Sequence, residues 1–145
     1  MDNHVHSLLR GGAFKNLVRA RMEDVEKKYN LKKMDVEIIL YLSKQAECNT
    51  ASDIQRCLRI NKGYLSQTMD RLCRQGYVEA VADQEDRRYV HYILKESTWQ
   101  IAEEAGQVWD RLNRQLFEGV SEEDLKTLRR ISSQISQNMC KMLEK

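Results

Sequence analysis

The chain has 145 residues, of which 41% are hydrophobic and 32% are charged, a composition typical of a soluble domain that buries a core. Its formal net charge of +2 excludes a strongly basic or acidic protein, so a preference for a charged partner must come from local charge. No run approaches the roughly 18 apolar residues of a membrane span, and residues 1–30 lack the apolar block of a signal peptide. We therefore expect a cytoplasmic protein with no membrane partner.

Four helices are predicted in the first half of the chain. Apolar residues recur at intervals of three and four positions from about Ser7 to Tyr29, which predicts the first helix. A second, more apolar helix runs from about Lys33 to Gln45. A short third helix begins at Thr50, which has Asp53 in the capping-box position. A fourth runs from a cap at Asn61 to Gly76, since glycine commonly follows a helix end.

The second half begins with a different periodicity. Within the segments YVEAVA and YVHYIL the residues alternate with the period of two that a strand requires, and both segments are rich in β-branched and aromatic residues. The run DQEDRR joins them as a hairpin loop. A long helix follows from about Ile101 to Leu116, and Ser121 with Asp124 forms a capping box that opens the last one. The predicted fold class is mainly α with a small β-hairpin behind a helix-turn-helix.

The fourth helix has the properties of a DNA-recognition helix, because an α-helix fits the major groove. With Leu65, Met69 and Leu72 in the core, the outward residues are Lys62, Gly63, Tyr64, Ser66, Gln67, Asp70, Arg71 and Arg74. Lys62 and Ser66 suit phosphates, and Gln67 suits an adenine edge. Tyr64 suits a thymine methyl group or a phosphate.

The charge distribution agrees with this interpretation. Residues 54–76 hold five basic residues against one acid, a local net charge of +4 compared with +2 for the whole chain. A basic patch of this kind is what phosphate contacts require. The alternative is an ordinary solvated helix face.

Several runs resemble the MarR family of bacterial winged helix-turn-helix regulators. They are MDRLCRQGYVE with Leu72 and Gly76, the wing-tip run DQEDRR, SEEDLKTLRRI, a looser LKKMDVEIILYL, and Ser66 after a hydrophobic residue. The resemblance extends from about Ser7 to the C-terminus and implies a winged domain over residues 31–96, with dimerisation helices over residues 7–30 and 97–145. Two family threonines are missing, and Asn30 and Ser97 are expected to replace them as helix caps.

The resemblance also implies how the wing acts on DNA. An arginine at the wing tip enters the minor groove, where a narrow A·T-rich segment concentrates negative potential. Asp86 and Arg88 match this pair, and two residues apart on an extended backbone they point the same way. Arg87 would contact a phosphate. The alternative is a hairpin loop with local ion pairs of little energetic value.

Family members are two-fold dimers whose half-sites lie roughly 10 base pairs apart, so double-stranded DNA and a second copy of this chain are the expected partners. The predicted dimer interface consists of Leu8, Leu9, Ile131, Ile135, Met139 and Met142. The alternative is that the terminal helices pack against each other within one chain. The family commonly binds small aromatic or amphipathic effectors, and Tyr29, Tyr41, Trp99 and Trp109 are the candidate pocket residues here, or else plain core.

We therefore predict a transcription regulator that acts as a ligand-relieved repressor. An enzyme is not expected, since the sequence has no catalytic triad, phosphate loop or metal-ligand spacing. No cofactor is expected. A thiol-based redox sensor and a winged-helix protein-interaction module are the alternatives. Cys48 is the candidate reactive thiol, whereas Cys57, Cys73 and Cys140 lie beside apolar stripes and are expected to be inert core thiols. His4 and His6 form a weak metal motif, and His91 is expected to be structural or close to DNA.

Overall fold

The computed structural model describes residues 11–143, which fall into two compact units divided between Leu112 and Asn113. The elements of the first unit are α1 (Gly12–Tyr29), α2 (Lys33–Lys44), α3 (Ala51–Leu58), α4 (Lys62–Arg74), β1 (Val78–Ala82), β2 (Val90–Leu94), a 3-10 turn (Glu96–Thr98) and most of α5 (Trp99–Leu116). The second unit contains the end of α5 and α6 (Glu122–Leu143). The predicted fold class, mainly helical with one hairpin, is confirmed. None of the described helices is long and apolar enough to cross a membrane.

The core of the first unit is built around α2. This helix is apolar on most sides, and Val36, Ile38, Ile39, Leu40 and Leu42 are all buried, as its sequence predicts. Residues of α1, α4 and α5 belong to the same hydrophobic cluster: Met22, Val25, Leu65, Met69, Leu72, Ile101, Ala102 and Ala105. Full burial of one large aliphatic side chain contributes roughly 1.5–3 kcal/mol. The helices flanking the winged segment therefore share its core.

The turn between α3 and α4 forms as the sequence predicts. The Thr50 hydroxyl accepts a hydrogen bond from the Asp53 backbone N–H, and the Asp53 carboxylate accepts one from the Thr50 N–H. Arg59 takes the left-handed conformation (φ 52°) that ends α3. The Asn61 side chain then accepts the Tyr64 N–H at 2.8 Å. These caps fix where both helices begin, and so fix the angle at which α4 is presented.

Two predicted caps are wrong. Asn30 ends α1 in the left-handed conformation (φ 52°), which asparagine tolerates better than most residues. The start of α2 is satisfied instead by the Asp35 carboxylate, which accepts the Lys32 backbone N–H at 2.7 Å. Ser97 is exposed and makes no cap bond, whereas the buried Thr98 beside it donates its hydroxyl to the Tyr77 carbonyl at 2.7 Å.

The hairpin is antiparallel, and its register runs from Val78 opposite Leu94 to Ala82 opposite Val90. Of the paired residues only Val78 and Leu94 at the base of the hairpin are buried, and the rest of the hairpin projects away from the core. It is attached on one side to the segment before α3, where the Tyr92 N–H donates to the Asn49 carbonyl at 2.9 Å. The loop DQEDRR lies at the far end, as predicted.

In the second unit, α5 ends in a turn in which Gly119 has a φ of +80°. The Ser121 hydroxyl then accepts the Asp124 N–H at 3.1 Å, and this confirms the predicted cap of α6.

Candidate nucleic-acid interface

The recognition helix α4 turns the predicted face outward. Its buried residues are Leu65, Thr68, Met69 and Leu72. Most of the candidate DNA-contact residues are exposed: Lys62, Gly63, Tyr64, Ser66, Gln67 and Arg74. The side chains are therefore placed as groove contacts require, since an apolar stripe anchors the helix and polar groups occupy the opposite side.

Arg71 is placed differently from the prediction. Its guanidinium pairs with the carboxylate of Asp35, which is only 2% exposed at the start of α2. The Arg71 side chain is itself 26% exposed. This arginine ties α4 to α2, so only part of its side chain is exposed beside the outward face, and its predicted contact with DNA stays a prediction. No local pattern indicated this pairing, because the two residues are 36 positions apart.

A groove of about 340 Å³ beside α4 adds two residues that sequence reasoning missed. Ser52 and Gln55 of α3 line it together with Lys62 and Ser66. Ser52 is exposed and Gln55 is half-buried, on a helix whose single buried residue is Ile54, and this polarity around one apolar position was the available signal. Hydroxyl, amide and ammonium groups converge here, as they do where a DNA backbone is held.

The wing tip holds one arginine in a fixed orientation. The Asp86 carboxylate accepts from Arg88 Nε at 3.0 Å and from Arg88 Nη2 at 2.7 Å, while the Arg88 side chain is 87% exposed. The predicted pair therefore forms, and Arg87 beside it is exposed. The Arg88 side chain and then its backbone N–H hold the pKa of Asp86 below its usual range.

The backbone that brings the pair together is a turn, and the predicted extended conformation is wrong. The Tyr89 N–H donates to the Asp86 carbonyl at 2.9 Å, and the Arg88 N–H donates to the Asp86 side chain at 3.1 Å. Asp83 shapes the start of the loop, because its Oδ1 accepts the N–H groups of Glu85 and Asp86 at 2.8 Å each. Aspartate commonly organises turns in this way.

A cavity of about 310 Å³ lies in the first unit between α1, α2 and α5. Two of the four predicted pocket residues, Tyr41 and Trp109, line it. Tyr29 does not, since its hydroxyl donates to Glu104 at 2.8 Å, and Trp99 is 49% exposed and also lies elsewhere. The aromatic spacing could not distinguish these positions, because the inward face of each helix depends on its neighbours.

The cavity is mainly apolar, with Val18, Met22, Val36, Leu40 and Leu58 in its wall. Glu26 also lines it. Burial raises the pKa of this carboxyl, and among the described residues its Oε1 is buried without a hydrogen-bond partner. The cavity thus combines an apolar surface with one unsatisfied acidic group, a combination suited to a small amphipathic molecule.

The thiols differ from the predicted pattern. Cys57 and Cys140 are exposed, not inert core residues, because each lies on the solvent side of its helix. Cys73 is half-buried, and burial raises the pKa of its thiol. Cys48 is exposed, as expected. Within residues 11–143 no three His, Cys, Asp or Glu side chains cluster as metal ligands, and His4 and His6 lie outside the described residues.

The predicted dimer residues on α6 form an apolar stripe. Ile131, Met139 and Met142 are exposed and Ile135 is half-buried. Their spacing of three or four positions places them on one side of the helix. Leu8 and Leu9 lie outside the described residues, so their predicted role stays a prediction.

Comparison with known proteins agrees with the fold. Residues 31–97 match the family model described as Winged helix DNA-binding domain. The chain is similar to MepR of S. aureus in a complex with DNA, with a TM-score of 0.79, 16% identity, and coverage of 95% of this chain and 99% of that chain. It is similar to FabT of Streptococcus pneumoniae in complex with DNA, with a TM-score of 0.75, 19% identity, and coverage of 97% and 99%. For the transcription regulator MarR of Oenococcus oeni PSU-1 the TM-score is 0.73, with 19% identity and coverage of 92% and 98%. No curated protein sequence matches significantly.

Residues 31–97 therefore have the winged helix fold. The chain has the fold of MepR, FabT and MarR over nearly its whole length. The fold that the resemblance in the sequence implied is therefore confirmed.

Proposed function

We propose that this protein is a homodimeric MarR-type repressor that binds a pseudo-palindromic operator and releases it when a small ligand binds. The observation that carries the proposal is the combination of an outward polar face on α4 with a wing tip whose arginine is already oriented by Asp86. In this account, α4 lies in the major groove and Arg88 enters the flanking minor groove. MepR and FabT, which share the fold, have each been solved with DNA.

The stripe on α6 supports the homodimer. In a single chain, Ile131, Met139 and Met142 are exposed to water, and pairing with a second copy would bury them. A dimer also doubles the contacts, and it requires two half-sites about one helical turn apart. One winged helix alone touches too few base pairs for useful specificity.

The proposal is tested by selecting bound fragments from the genome of the source organism with the purified protein. We expect recovery of a two-fold related sequence with half-sites roughly 10 base pairs apart, including DNA upstream of the protein's own gene. Recovered duplexes should bind at least 10³-fold more tightly than random DNA. Fragments with one unrepeated half-site would contradict the dimer. A selection that enriches nothing would favour a winged-helix module with protein partners.

Two variants of α4 serve as matched controls in the same assay. Lys62→Ala should weaken binding about equally on all sequences and reduce the salt dependence, because a lysine contributes a phosphate charge. Gln67→Ala should relax specificity at one base pair by about 1–3 kcal/mol, with a smaller effect on random DNA. Identical behaviour of the two variants would show that α4 makes no base-specific contact.

Ligand release is supported by the cavity that contains Tyr41 and Trp109. We expect an aromatic or amphipathic compound that releases DNA to change the fluorescence of Trp109, because the indole lies in the cavity wall. The measurement uses Trp99→Phe, which removes the exposed second tryptophan, and a panel of planar aromatic acids, amines and phenols. Compounds that release DNA without affecting Trp109, or that act equally on a Leu40→Trp variant with a filled cavity, would place the effector elsewhere.

A further inference from the structure

One histidine side chain links the loop of the wing to the segment before α3, beside the Tyr92–Asn49 backbone bond that also attaches the hairpin there. His91 lies in β2, with Nδ1 2.6 Å from Asn49 Oδ1 and Nε2 2.8 Å from Asp83 Oδ2. Asn49 is buried in the segment that precedes α3, and Asp83 opens the loop of the wing. One imidazole ring thus joins the part of the chain that supports α4 to the part that carries Arg88.

Both ring nitrogens of His91 face oxygen atoms that accept hydrogen bonds. The Asn49 amide is oriented by its Nδ2, which donates to the Ala46 carbonyl at 3.0 Å, so Oδ1 is the atom turned toward the ring. The Asp83 group is a carboxylate, because the Asp86 N–H, His91 and the Glu85 N–H together lower its pKa to about 2. A neutral imidazole has one N–H and satisfies one acceptor, whereas the imidazolium satisfies both.

The same aspartate that His91 contacts also shapes the wing loop. Asp83 uses Oδ2 for His91 and Oδ1 for the N–H groups of Glu85 and Asp86. Its backbone N–H donates to the Tyr89 carbonyl at 3.0 Å. A displacement of Asp83 would therefore move the turn that presents Arg88.

The other charged groups near the ring already have partners. Asp86, which repels Asp83, is paired with Arg88. On α3, Asp53 is bound to Thr50 and Arg56, and Thr50 is the residue bridged to His91. Asp83 is thus the carboxylate that a charge on His91 affects most directly.

We infer that His91, in its imidazolium form, is a positioning residue that holds the wing in the orientation needed for DNA, which makes DNA binding proton-linked. The clamp, in which His91 donates to both Asn49 Oδ1 and Asp83 Oδ2, is complete only while the ring carries two protons, so DNA affinity should fall when the ring loses one of them. Arginine and phosphate charges do not change near neutral pH. The consequence for DNA rests on the proposed function, but the clamp itself is a property of the free protein.

The first test uses the free protein. The chain has three histidines, so a His4→Gln/His6→Gln variant leaves His91 alone for ring-nitrogen NMR between about pH 5.5 and 8.5. We expect two ring protons at the acid end, and wing amides that become more mobile on the nanosecond timescale as one proton is lost. A ring with a single proton throughout, or wing mobility that does not follow its protonation, would overturn the inference.

The second test measures affinity for a duplex recovered by the genomic selection. Wild type should lose about three- to tenfold in affinity between the pH values at which NMR finds the His91 ring with two protons and with one. His91→Gln and Asn49→Ala should bind weakly at both pH values. Asn49→Ala is decisive because it keeps the charge of His91 and removes one clamp partner. If that variant keeps the wild-type pH dependence, His91 contacts phosphate directly and the clamp is wrong. If wild type binds no duplex at any pH, the proposed function fails and the NMR measurement still decides on the clamp.

Discussion

Arg88→Ala should cost the protein about 1–3 kcal/mol of operator binding, roughly five- to 150-fold in affinity. Arg88 is 87% exposed, and its guanidinium is held by Asp86 before DNA arrives. Part of the side-chain entropy that an arginine normally loses on binding is therefore lost in forming this pair. Because the residue has no core contact to lose, the free energy of unfolding should remain that of wild type.

Asp86→Asn separates orientation from charge at the same site. It leaves Arg88 charged but weakens the pair that orients it, and it removes a carboxylate close to DNA phosphates. Affinity for random DNA should therefore rise while the ratio of operator to random binding falls. Arg87→Ala, at the exposed neighbouring position, is the matched control and should reduce both affinities about equally. If Arg88→Ala behaves like Arg87→Ala, the wing makes only general phosphate contacts.

Arg71→Ala should destabilise the fold by about 3–5 kcal/mol, because it leaves the Asp35 carboxylate buried without its cationic partner. That carboxylate is 2% exposed and would keep only the Lys32 backbone N–H as a donor. Asp35→Asn should cost much less, about 1 kcal/mol, since Arg71 is partly exposed and can turn toward water. Urea unfolding at one fixed protein concentration measures both changes.

The double variant Asp35→Asn/Arg71→Ala decides whether the ion pair is the cause. It removes the unpaired charge, so it should be more stable than Arg71→Ala alone, although it carries one more substitution. Additive losses would mean that Arg71 stabilises α4 by packing and not by pairing.

The recognition helix and wing were predictable because their signals are local. A helix-period stripe of Leu65, Met69 and Leu72 determines which face of α4 is outward, and the capping residues Thr50 and Asn61 act within three positions of themselves. The Asp86–Arg88 pair is equally local, since a turn that spans four residues brings its members together. Even there the backbone conformation was predicted wrongly, because an extended segment and a tight turn both place these side chains near each other.

The sequence by itself determined the class of fold, the position of the winged segment and the outward face of α4, because these depend on spacing along one or two elements. Tertiary structure alone decided that Arg71 is paired with Asp35, that Tyr41 and Trp109 share a cavity without Tyr29 and Trp99, and that His91 joins Asn49 to Asp83. Each of these depends on which faces of separate elements meet. Local propensity does not encode that choice, because it results from packing the whole core at once.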